Sequence, residues 1–336
     1  MKTDLPSELR VGLDDAMQGV SRNALVERAS AISKAYRAGR NSTHAIRNAN
    51  DALAYALTRL PATFAAVVAV LGELRRALPD FTPRTLLDVG AGPGTAAWAA
   101  SQCFEQFGRI ELVDDNEHLR ELALDLMRLS SDPALRDARY EKGGAQQLLK
   151  TIESVDLTMA SYFAGEVSDT ELLDHADMLW SKAANILVII EPGTPAGFER
   201  IRAIRSHLIG KQAFVVCPCP HDLQCPMTGD DWCHFSQRLN RSRDHRVVKG
   251  AALSFEDEKY SYVVLSRHKP AMPALDRILA PPHVAKNAIT AKLCTPEGLI
   301  MDVAPRRDRN AYKARRNWRW GDAVTRAAEP AGHESG

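Results

Sequence analysis

A glycine-rich turn between a short apolar segment and a following helix most constrains the fold of this chain. Residues 85–89 read Thr-Leu-Leu-Asp-Val, and Gly90, Gly92 and Gly94 precede a helical pattern over residues 96–104. Glycines let the backbone bend sharply and let a ligand approach closely. Free N–H groups at the start of a helix attract a carboxylate or a phosphate. The segment therefore predicts a buried strand, a ligand-binding turn and a helix.

Alternating strand and helix patterns continue after this turn. Further strands are predicted at residues 109–114, 156–160, 185–191, 213–217 and 260–267, with a helix over 117–129. Such alternation predicts an α/β fold with a mostly parallel sheet that is covered on both faces. The preceding residues 6–78 carry apolar residues at helical spacing and predict a helical region, which Pro61 is expected to interrupt.

The glycine spacing bears on which ligand the turn binds. Dinucleotide-binding turns usually read Gly-x-Gly-x-x-Gly, whereas this turn reads Gly-x-Gly-x-Gly and follows an acid within the strand. The pattern resembles motif I of the class I methyltransferases, in which the acid lies near the amino group of S-adenosylmethionine (SAM). The resemblance implies a SAM site formed by Asp88, Gly90, Gly92 and Gly94. Asp114, which fits the next strand end better than Asp115, is expected to accept hydrogen bonds from the ribose.

The residues after the later strands do not identify a methyl acceptor, and we assign no catalytic residue. Enzymes that methylate exocyclic amines of bases often carry Asn/Asp-Pro-Pro-Tyr/Phe after the fourth strand, but residues 159–166 read Met-Ala-Ser-Tyr-Phe-Ala-Gly-Glu. Tyr162, Glu166 and Glu191 lie at predicted strand ends, where sites form in open α/β sheets. They are candidates for contact with cofactor or substrate.

Four cysteines crowd a proline-rich insert after the strand predicted at 213–217, namely Cys217, Cys219, Cys225 and Cys233. Thiolates close together in sequence suit zinc or an iron–sulfur cluster. Structural zinc sites typically use tight Cys-x2–4-Cys pairs, and the wider gaps here weaken that interpretation. His221 and His234 are further candidate ligands for zinc.

Several motifs point to one family. Cys-Pro-His-Asp-x-x-Cys-Pro at 219–226 and Trp-Cys-His-Phe-Ser-Gln-Arg at 232–238 are the most specific, and Glu-Pro-Gly-Thr-Pro-Ala-Gly at 191–197 and Trp-Gly-Asp at 320–322 agree with them. Together they resemble the methyltransferase-like assembly factors of the small ribosomal subunit, which occur in mitochondria and in bacteria. The resemblance implies a [4Fe-4S] cluster bound by Cys219, Cys225, Cys233 and Cys294. A competing assignment takes Cys217 in place of Cys294.

The chain is accordingly predicted to have four parts. These are an N-terminal helical region at 1–80, a Rossmann-like methyltransferase domain at 81–268 with a cysteine-rich insert at 217–246, a basic and cluster-binding C-terminal hairpin extension at 269–326, and a disordered tail at 327–336. The hairpin is predicted to pair residues 288–293 with 299–303.

No run of about 20 uncharged apolar residues is present, and the N-terminus resembles no targeting signal. We therefore expect a cytoplasmic protein with no membrane partner.

Two basic groups bear on the partner. The C-terminal group, interleaved with Tyr312, Trp318 and Trp320, comprises Arg306, Arg307, Arg309, Lys313, Arg315, Arg316 and Arg319. The second group comprises Arg238, Arg241, Arg243, His245 and Arg246. Arginine bridges phosphates and aromatic rings stack on unpaired bases, so ribosomal RNA is favoured and DNA is not expected. Four hypotheses remain open: an rRNA methyltransferase, a non-catalytic assembly factor, a small-molecule methyltransferase, and a zinc-containing RNA-binding protein.

Overall fold

The computed structural model describes residues 3–37, 42–271 and 275–326. The tail predicted over 327–336 lies outside the described residues. The helices are α1 (Ser7–Ala16), α2 (Arg22–Arg37), α3 (Ser42–Ala45), α4 (Ala49–Ala77), α5 (Thr95–Cys103), α6 (Glu117–Met127), α7 (Pro133–Arg136), α8 (Ala145–Leu148), α9 (Leu172–Lys182), α10 (Pro195–Ile209), α11 (Arg243–Lys249) and α12 (Arg309–Arg315). The strands are β1 (Thr85–Val89), β2 (Arg109–Asp114), β3 (Arg139–Lys142), β4 (Val155–Ser161), β5 (Ala183–Pro192), β6 (Phe214–Cys217), β7 (Phe235–Asn240), β8 (Phe255–Ser266), β9 (Asp276–Ile278), β10 (His283–Val284), β11 (Ala288–Thr295), β12 (Gly298–Pro305) and β13 (Ala323–Val324).

An eight-stranded mixed sheet forms the centre of the fold. The strand order is β3-β2-β1-β4-β5-β8-β6, and β7 also pairs with β8. The pairs from β3 to β5 are parallel, whereas β8 runs antiparallel to β5, β6 and β7. The register places Val89 beside Val113 and Ala160. The carboxyl ends of β1, β2 and β4 therefore meet at one edge, where ligand sites form in such sheets.

The α/β prediction is confirmed, and each strand predicted in this region corresponds to an observed one. Two strands of the sheet, β3 and β7, were not predicted. β3 reads Arg-Tyr-Glu-Lys, and only its tyrosine is buried, so the segment lacks the apolar pattern of a strand. β7 lies at the end of the cysteine-rich insert and reads Phe-Ser-Gln-Arg-Leu-Asn, which is mostly polar because the strand pairs only with β8.

Helix α4 crosses the protein as a core helix. It runs unbroken through Pro61, so the predicted interruption is wrong. The hydroxyl of Thr58 donates to the carbonyl of Ala54 at 2.8 Å within the turn that precedes the proline. By length and composition α4 would also be able to span a membrane, but 72% of its most apolar window is buried in the fold. Its apolar character is therefore explained by packing against the sheet and the neighbouring helices.

The C-terminal residues form a second, antiparallel sheet. Its order is β10-β11-β9-β13, and β12 pairs with β11. The predicted hairpin is present as β11 and β12, which close between Thr295 and Gly298. The register places Cys294 beside Leu299 on β12 and beside Arg277 on β9. The cysteine of the hairpin thus lies within a paired strand rather than in a loop.

Candidate cofactor cleft and cysteine cavity

The glycine turn lines a cleft of about 320 Å³ at the carboxyl ends of β1, β2 and β4. The N–H groups of Gly90 and Ala91 donate to the carbonyl of Val113 at 2.9 and 3.1 Å, which holds the turn against the end of β2. Gly90, Gly92 and Gly94 all have positive φ angles. A β-carbon at Gly90 would lie 2.5 Å from the ring of Phe163, so this position requires glycine for space as well as for backbone conformation.

Asp114 connects the turn to the helix that follows β2. Its two carboxylate oxygens accept from the N–H groups of Gly92 and Asn116, each at 2.9 Å. Burial raises the pKa of Asp114 to about 6, although these two hydrogen bonds act against the shift. Gly90, Gly92 and Asp114 line the cleft, and so does the exposed Asp115. Gly94 is not among the lining residues; it is the N-cap of α5 and has φ +75°.

Asp88, the acid of the motif I pattern, lies within β1, two residues before the first glycine of the turn. It is buried beneath the turn, does not line the cleft, and neither oxygen makes a hydrogen bond of normal geometry to a described residue. Burial, with a smaller effect of the neighbouring Asp114, raises the pKa of Asp88 to about 8, while the N–H of Ala97 acts in the opposite direction. Asp88 is therefore mainly protonated at neutral pH.

The raised pKa of Asp88 predicts a pH-dependent stability. The folded state holds the proton up to about pH 8, whereas an unfolded aspartate loses it near 3.8, so the free energy of unfolding falls as pH rises between these values. Asp88→Asn removes this ionisation. We expect the melting temperature of the variant relative to wild type to rise steadily from pH 5 to pH 8, measured by thermal scans at fixed ionic strength. Asp115→Asn is the exposed control, and parallel pH profiles for wild type and Asp88→Asn would contradict the assignment.

Two residues at the end of β4 add polar groups to the cleft, and sequence reasoning missed the first. Ser161 lines the cleft, and its buried hydroxyl has no partner among the described residues. Tyr162 has φ +59°, a left-handed conformation that non-glycine residues adopt at a cost. Its hydroxyl donates to Glu258 at 2.9 Å, and Glu258 pairs with Arg59 at 3.0 Å. The strained backbone and the buried hydrogen bonds fix the ring of Tyr162 at the cleft.

A larger cavity of about 730 Å³ lies on the other side of Tyr162, beneath α2. It shares Tyr55, Tyr162 and Glu166 with the cleft. Glu191 lines only this second cavity; it is fully buried, accepts from the N–H of Ala164 at 3.0 Å and lies 3.4 Å from Arg200. Burial raises the pKa of Glu191 to about 7, against the effect of Arg200. The three strand-end candidates thus lie around two adjoining cavities.

The cysteine insert and the C-terminal hairpin enclose a separate cavity. Cys219, Cys225, Cys233 and Cys294 line it. Cys217 does not; it is buried in β6 near Tyr262, and burial raises the pKa of its thiol to about 12. His221 lies with Nε2 at 3.7 Å from Sγ of Cys294. The arrangement favours Cys294 over Cys217 as the fourth member of the cysteine group.

A single zinc ion and a [4Fe-4S] cluster require different arrangements of the cysteines that line this cavity. Within the described ranges, no three His, Cys, Asp or Glu side chains converge closely enough to hold a single metal ion. A [4Fe-4S] cluster binds one thiolate at each iron, and the four cysteines that line this cavity of about 30 Å³ supply that number of thiolates. Burial raises the pKa of Cys294 to about 12 and that of Cys233 well above its usual range. Metal binding would have to displace these protons.

The motif segments that are distant in sequence meet beside this cavity. The indole of Trp232 donates to the carbonyl of Gly193 at 3.0 Å, and that of Trp320 donates to the carbonyl of His234 at 2.9 Å. The ring of His234 stacks on Trp232 with centroids 5.0 Å apart. A β-carbon at Gly193 would lie 2.7 Å from the backbone of β8. The motifs at 191–197, 232–238 and 320–322 therefore form one packed unit.

Arg277 ties three parts of the chain together at this unit. It is 3% exposed, donates to the carbonyls of Pro218 and Gly321 at 3.0 and 2.6 Å, and pairs with Glu73 of α4. The insert, the C-terminal residues and the core helix are thus held by one guanidinium group. A buried arginine with acceptors in several directions fixes such a junction more precisely than apolar contact alone.

The basic groups differ from the sequence prediction. Six cations of the C-terminal group are exposed and form no ion pair with a described residue, namely Arg306, Arg307, Arg309, Lys313, Arg316 and Arg319. Arg315 is buried and pairs with Asp302. In the second group, Arg238 pairs with Asp257 and Arg241 with Glu256, and His245 is buried. Only Arg243 and Arg246 stay exposed and unpaired among the described partners, so this second basic surface is smaller than predicted.

The strand order, with one antiparallel strand inserted beside β5, and the glycine turn facing Asp114 define a class I methyltransferase fold with a cysteine-lined cavity. A family model described as "Mitochondrial small ribosomal subunit Rsm22" matches residues 49–325, and the chain belongs to this family. The family resemblance inferred from the motifs is thereby confirmed.

Curated relatives agree with this assignment. "Ribosome assembly protein METTL17, mitochondrial" of Homo sapiens is 30% identical over 292 residues, which cover 81% of this chain and 62% of that protein. "Rsm22-cox11 tandem protein 2, mitochondrial" of Schizosaccharomyces pombe is 26% identical over 320 residues, covering 80% of this chain and 42% of that protein. The chain thus spans less than two thirds of these relatives. Because the family and the relatives are described as mitochondrial, the expectation of a cytoplasmic location is wrong.

Among solved structures, a magnesium protoporphyrin IX methyltransferase from Synechocystis PCC 6803 with bound SAM superposes with a TM-score of 0.38 and is 11% identical in sequence. The superposition covers 62% of this chain and 84% of that chain.

Proposed function

We propose that this chain is a SAM-binding, methyltransferase-like factor that acts on the small ribosomal subunit or its rRNA. One observation carries the proposal. The N–H of Gly92 in the glycine turn donates a hydrogen bond to the carboxylate of Asp114, and both residues line a cleft at the carboxyl ends of the strands. Asp114 is placed to accept from ribose hydroxyls, and Ser161 offers an unpartnered hydroxyl. SAM, when bound, supplies a methyl group; the cavity beneath α2 is the proposed entry for the acceptor.

Calorimetry with SAM and with S-adenosylhomocysteine tests the cofactor part directly. We expect saturable binding of one molecule per chain, with Gly90→Ala greatly weakened because its β-carbon would displace Phe163. Gly229→Ala, which has a positive φ and open space around its β-carbon, is the matched control and should bind SAM as wild type does. Absence of SAM binding by a folded wild-type protein would overturn the proposal.

The proposed partner rests on the family and on the exposed cations. The human relative is described as a ribosome assembly protein and the family as belonging to the small ribosomal subunit. The six unpaired cations around α12 lie beside Tyr312, Trp318 and Trp320, which are partly exposed. Guanidinium groups that lack carboxylate partners are available to phosphates, and nearby aromatic rings suit unpaired bases.

Removing three of these cations should weaken RNA binding in a salt-dependent way. We expect the triple variant Arg306→Ala, Arg307→Ala, Arg309→Ala to lower affinity for a small-subunit rRNA fragment and to reduce the slope of log K against log salt by about 2, since each single-strand phosphate contact contributes roughly 0.7. Fluorescence anisotropy over a range of KCl concentrations measures this slope. Arg238→Ala is the control, because Arg238 is already paired with Asp257. An unchanged slope in the triple variant would place the RNA contact elsewhere.

The proposal includes a [4Fe-4S] cluster bound by Cys219, Cys225, Cys233 and Cys294. Its support is the convergence of these four cysteines on one cavity while Cys217 lies outside it. A bound cluster would cross-link the insert to the C-terminal hairpin, and this junction already depends on Arg277. The chemistry that the cluster supplies is a structural cross-link with the capacity to accept one electron.

A second candidate is a non-catalytic assembly factor that retains SAM binding. It is favoured by the description of the human relative as an assembly protein and by the sequence Met-Ala-Ser-Tyr-Phe at the end of β4, which lacks the motif of base-amine methyltransferases. Incubation with methyl-labelled SAM and small subunits separates the candidates. Label transferred to rRNA supports the enzyme, and SAM binding without transfer supports the non-catalytic factor.

A further inference from the structure

Arg205 of α10 is a buried cation for which the described residues provide no carboxylate partner. It is 3% exposed and donates to the carbonyls of Leu223 and His221 at 2.9 and 2.6 Å. Its Nε–H is buried and makes no hydrogen bond to a described residue. A buried charge without a counter-charge is strongly destabilising. Neutral carbonyl groups offset only part of that cost.

The same guanidinium lies at the cysteine cavity. Arg205 lines the cavity together with Cys219, Cys225, Cys233 and Cys294. The two other arginines that line it have carboxylate partners, since Arg277 pairs with Glu73 and Arg202 with Glu199. The wall of the cavity therefore carries one positive charge that no carboxylate among the described residues balances.

Arg205 also determines where His221 lies. Because it binds the carbonyls of His221 and Leu223, it fixes the loop between Cys219 and Cys225. The ring of His221 extends from this loop to Sγ of Cys294 at 3.7 Å. Hydrogen bonds to ligating sulfur atoms and nearby charges are among the factors that set the reduction potential of iron–sulfur clusters.

We propose that Arg205 is a positioning residue that balances the charge of the four cluster-bound thiolates and holds His221 against Cys294. The inference rests on the cluster of the proposed function. Four thiolates outweigh the positive charge of the iron–sulfur core, so the bound group is an anion next to this guanidinium. One-electron reduction would make that anion more negative, and a positive charge on the wall of the same cavity would therefore stabilise the reduced cluster more than the oxidised one.

The test compares Arg205→Met, Arg205→Lys and the control Arg128→Met, an exposed arginine at the end of α6 that pairs with Asp125 away from the cysteine cavity, in anaerobically purified full-length protein. The midpoint potential is measured by dithionite titration with absorbance and electron paramagnetic resonance, and cluster loss is followed in excess chelator. We expect Arg205→Met to have a lower potential than wild type and to lose its cluster about tenfold faster, the scale typical of lost outer-shell partners. Arg205→Lys keeps the charge but loses the planar pair of donors, so it should keep the potential and still lose its cluster faster. Arg128→Met should match wild type in both.

The outcomes separate this inference from the proposal on which it rests. Wild-type protein without iron and sulfide would overturn the cluster and the role of Arg205 together. If wild type contains the cluster and Arg205→Met has the same midpoint potential as wild type, only the role of Arg205 is overturned. Faster cluster loss without a change of potential would then indicate a purely structural contact. If Arg205→Met is insoluble, an Arg205→Lys variant with an altered potential would contradict the charge-balancing role.

Discussion

Replacing Cys294 with serine is expected to remove both iron and sulfide from the protein, whereas Cys217→Ser should leave both in place. Cys294 faces the cavity that Cys219, Cys225 and Cys233 also line, although it lies 61 residues beyond Cys233 in a different sheet. Cys217 is buried in β6 outside that cavity. Loss of one of four ligands commonly prevents stable cluster assembly, so the effect is close to all or none.

The measurement is iron and acid-labile sulfide per chain after anaerobic purification. We expect about four of each in wild type and Cys217→Ser, and almost none in Cys294→Ser. Retained SAM binding by Cys294→Ser would show that the loss does not reflect global unfolding. The reverse pattern would make Cys217 the fourth ligand. Stoichiometric zinc without sulfide would remove the cluster from the account.

Asp114→Ala is expected to raise the dissociation constant for SAM by about 10- to 100-fold. The substitution removes the acceptor of the Gly92 and Asn116 N–H groups and with it the proposed acceptor of the ribose hydroxyls. Hydrogen bonds to a charged group contribute about 1.5–3 kcal/mol each, and 1.4 kcal/mol corresponds to tenfold in affinity. Isothermal calorimetry with SAM measures the change directly.

Asp115→Ala is the matched control for this prediction. Asp115 also lines the cleft but is exposed at the strand end, so we expect its removal to have a smaller effect than that of Asp114. A larger loss of affinity in Asp115→Ala would assign the ribose contact to Asp115. Wild-type affinity in both variants would show that SAM does not bind across this strand end.

The parts of the fold that local sequence determines were predicted well. The glycine turn, β1 and β2 follow from residues that are adjacent in the chain, and the hairpin of β11 and β12 follows from two apolar segments around a Pro-Glu-Gly turn. The polar strand β3 was not predicted because its own sequence lacks the pattern of a strand. It is a strand because it pairs with β2. Pro61 was expected to break a helix that tertiary packing keeps continuous.

The site depends more on contacts between distant residues, which sequence alone does not supply. A count of basic residues does not show which of them pair with acids. In the structure, carboxylates pair with Arg238, Arg241 and Arg315. Asp88, which the motif I resemblance places near the amino group of SAM, is buried beneath the turn and does not line the cleft. The role proposed for Ser161 follows from a buried hydroxyl without a partner among the described residues, and that of Arg205 from a buried guanidinium that binds backbone carbonyls but no carboxylate of the described chain. Both are properties of the folded chain only.

The measurement that tests the central claim most directly is co-sedimentation of the protein, loaded with radiolabelled SAM, with purified small and large ribosomal subunits. We expect protein and label to migrate with the small subunit, and the Arg306→Ala, Arg307→Ala, Arg309→Ala variant to keep the label but to migrate less with the subunit. Equal migration with both subunits, migration with neither, or protein that reaches the small subunit without label would contradict it.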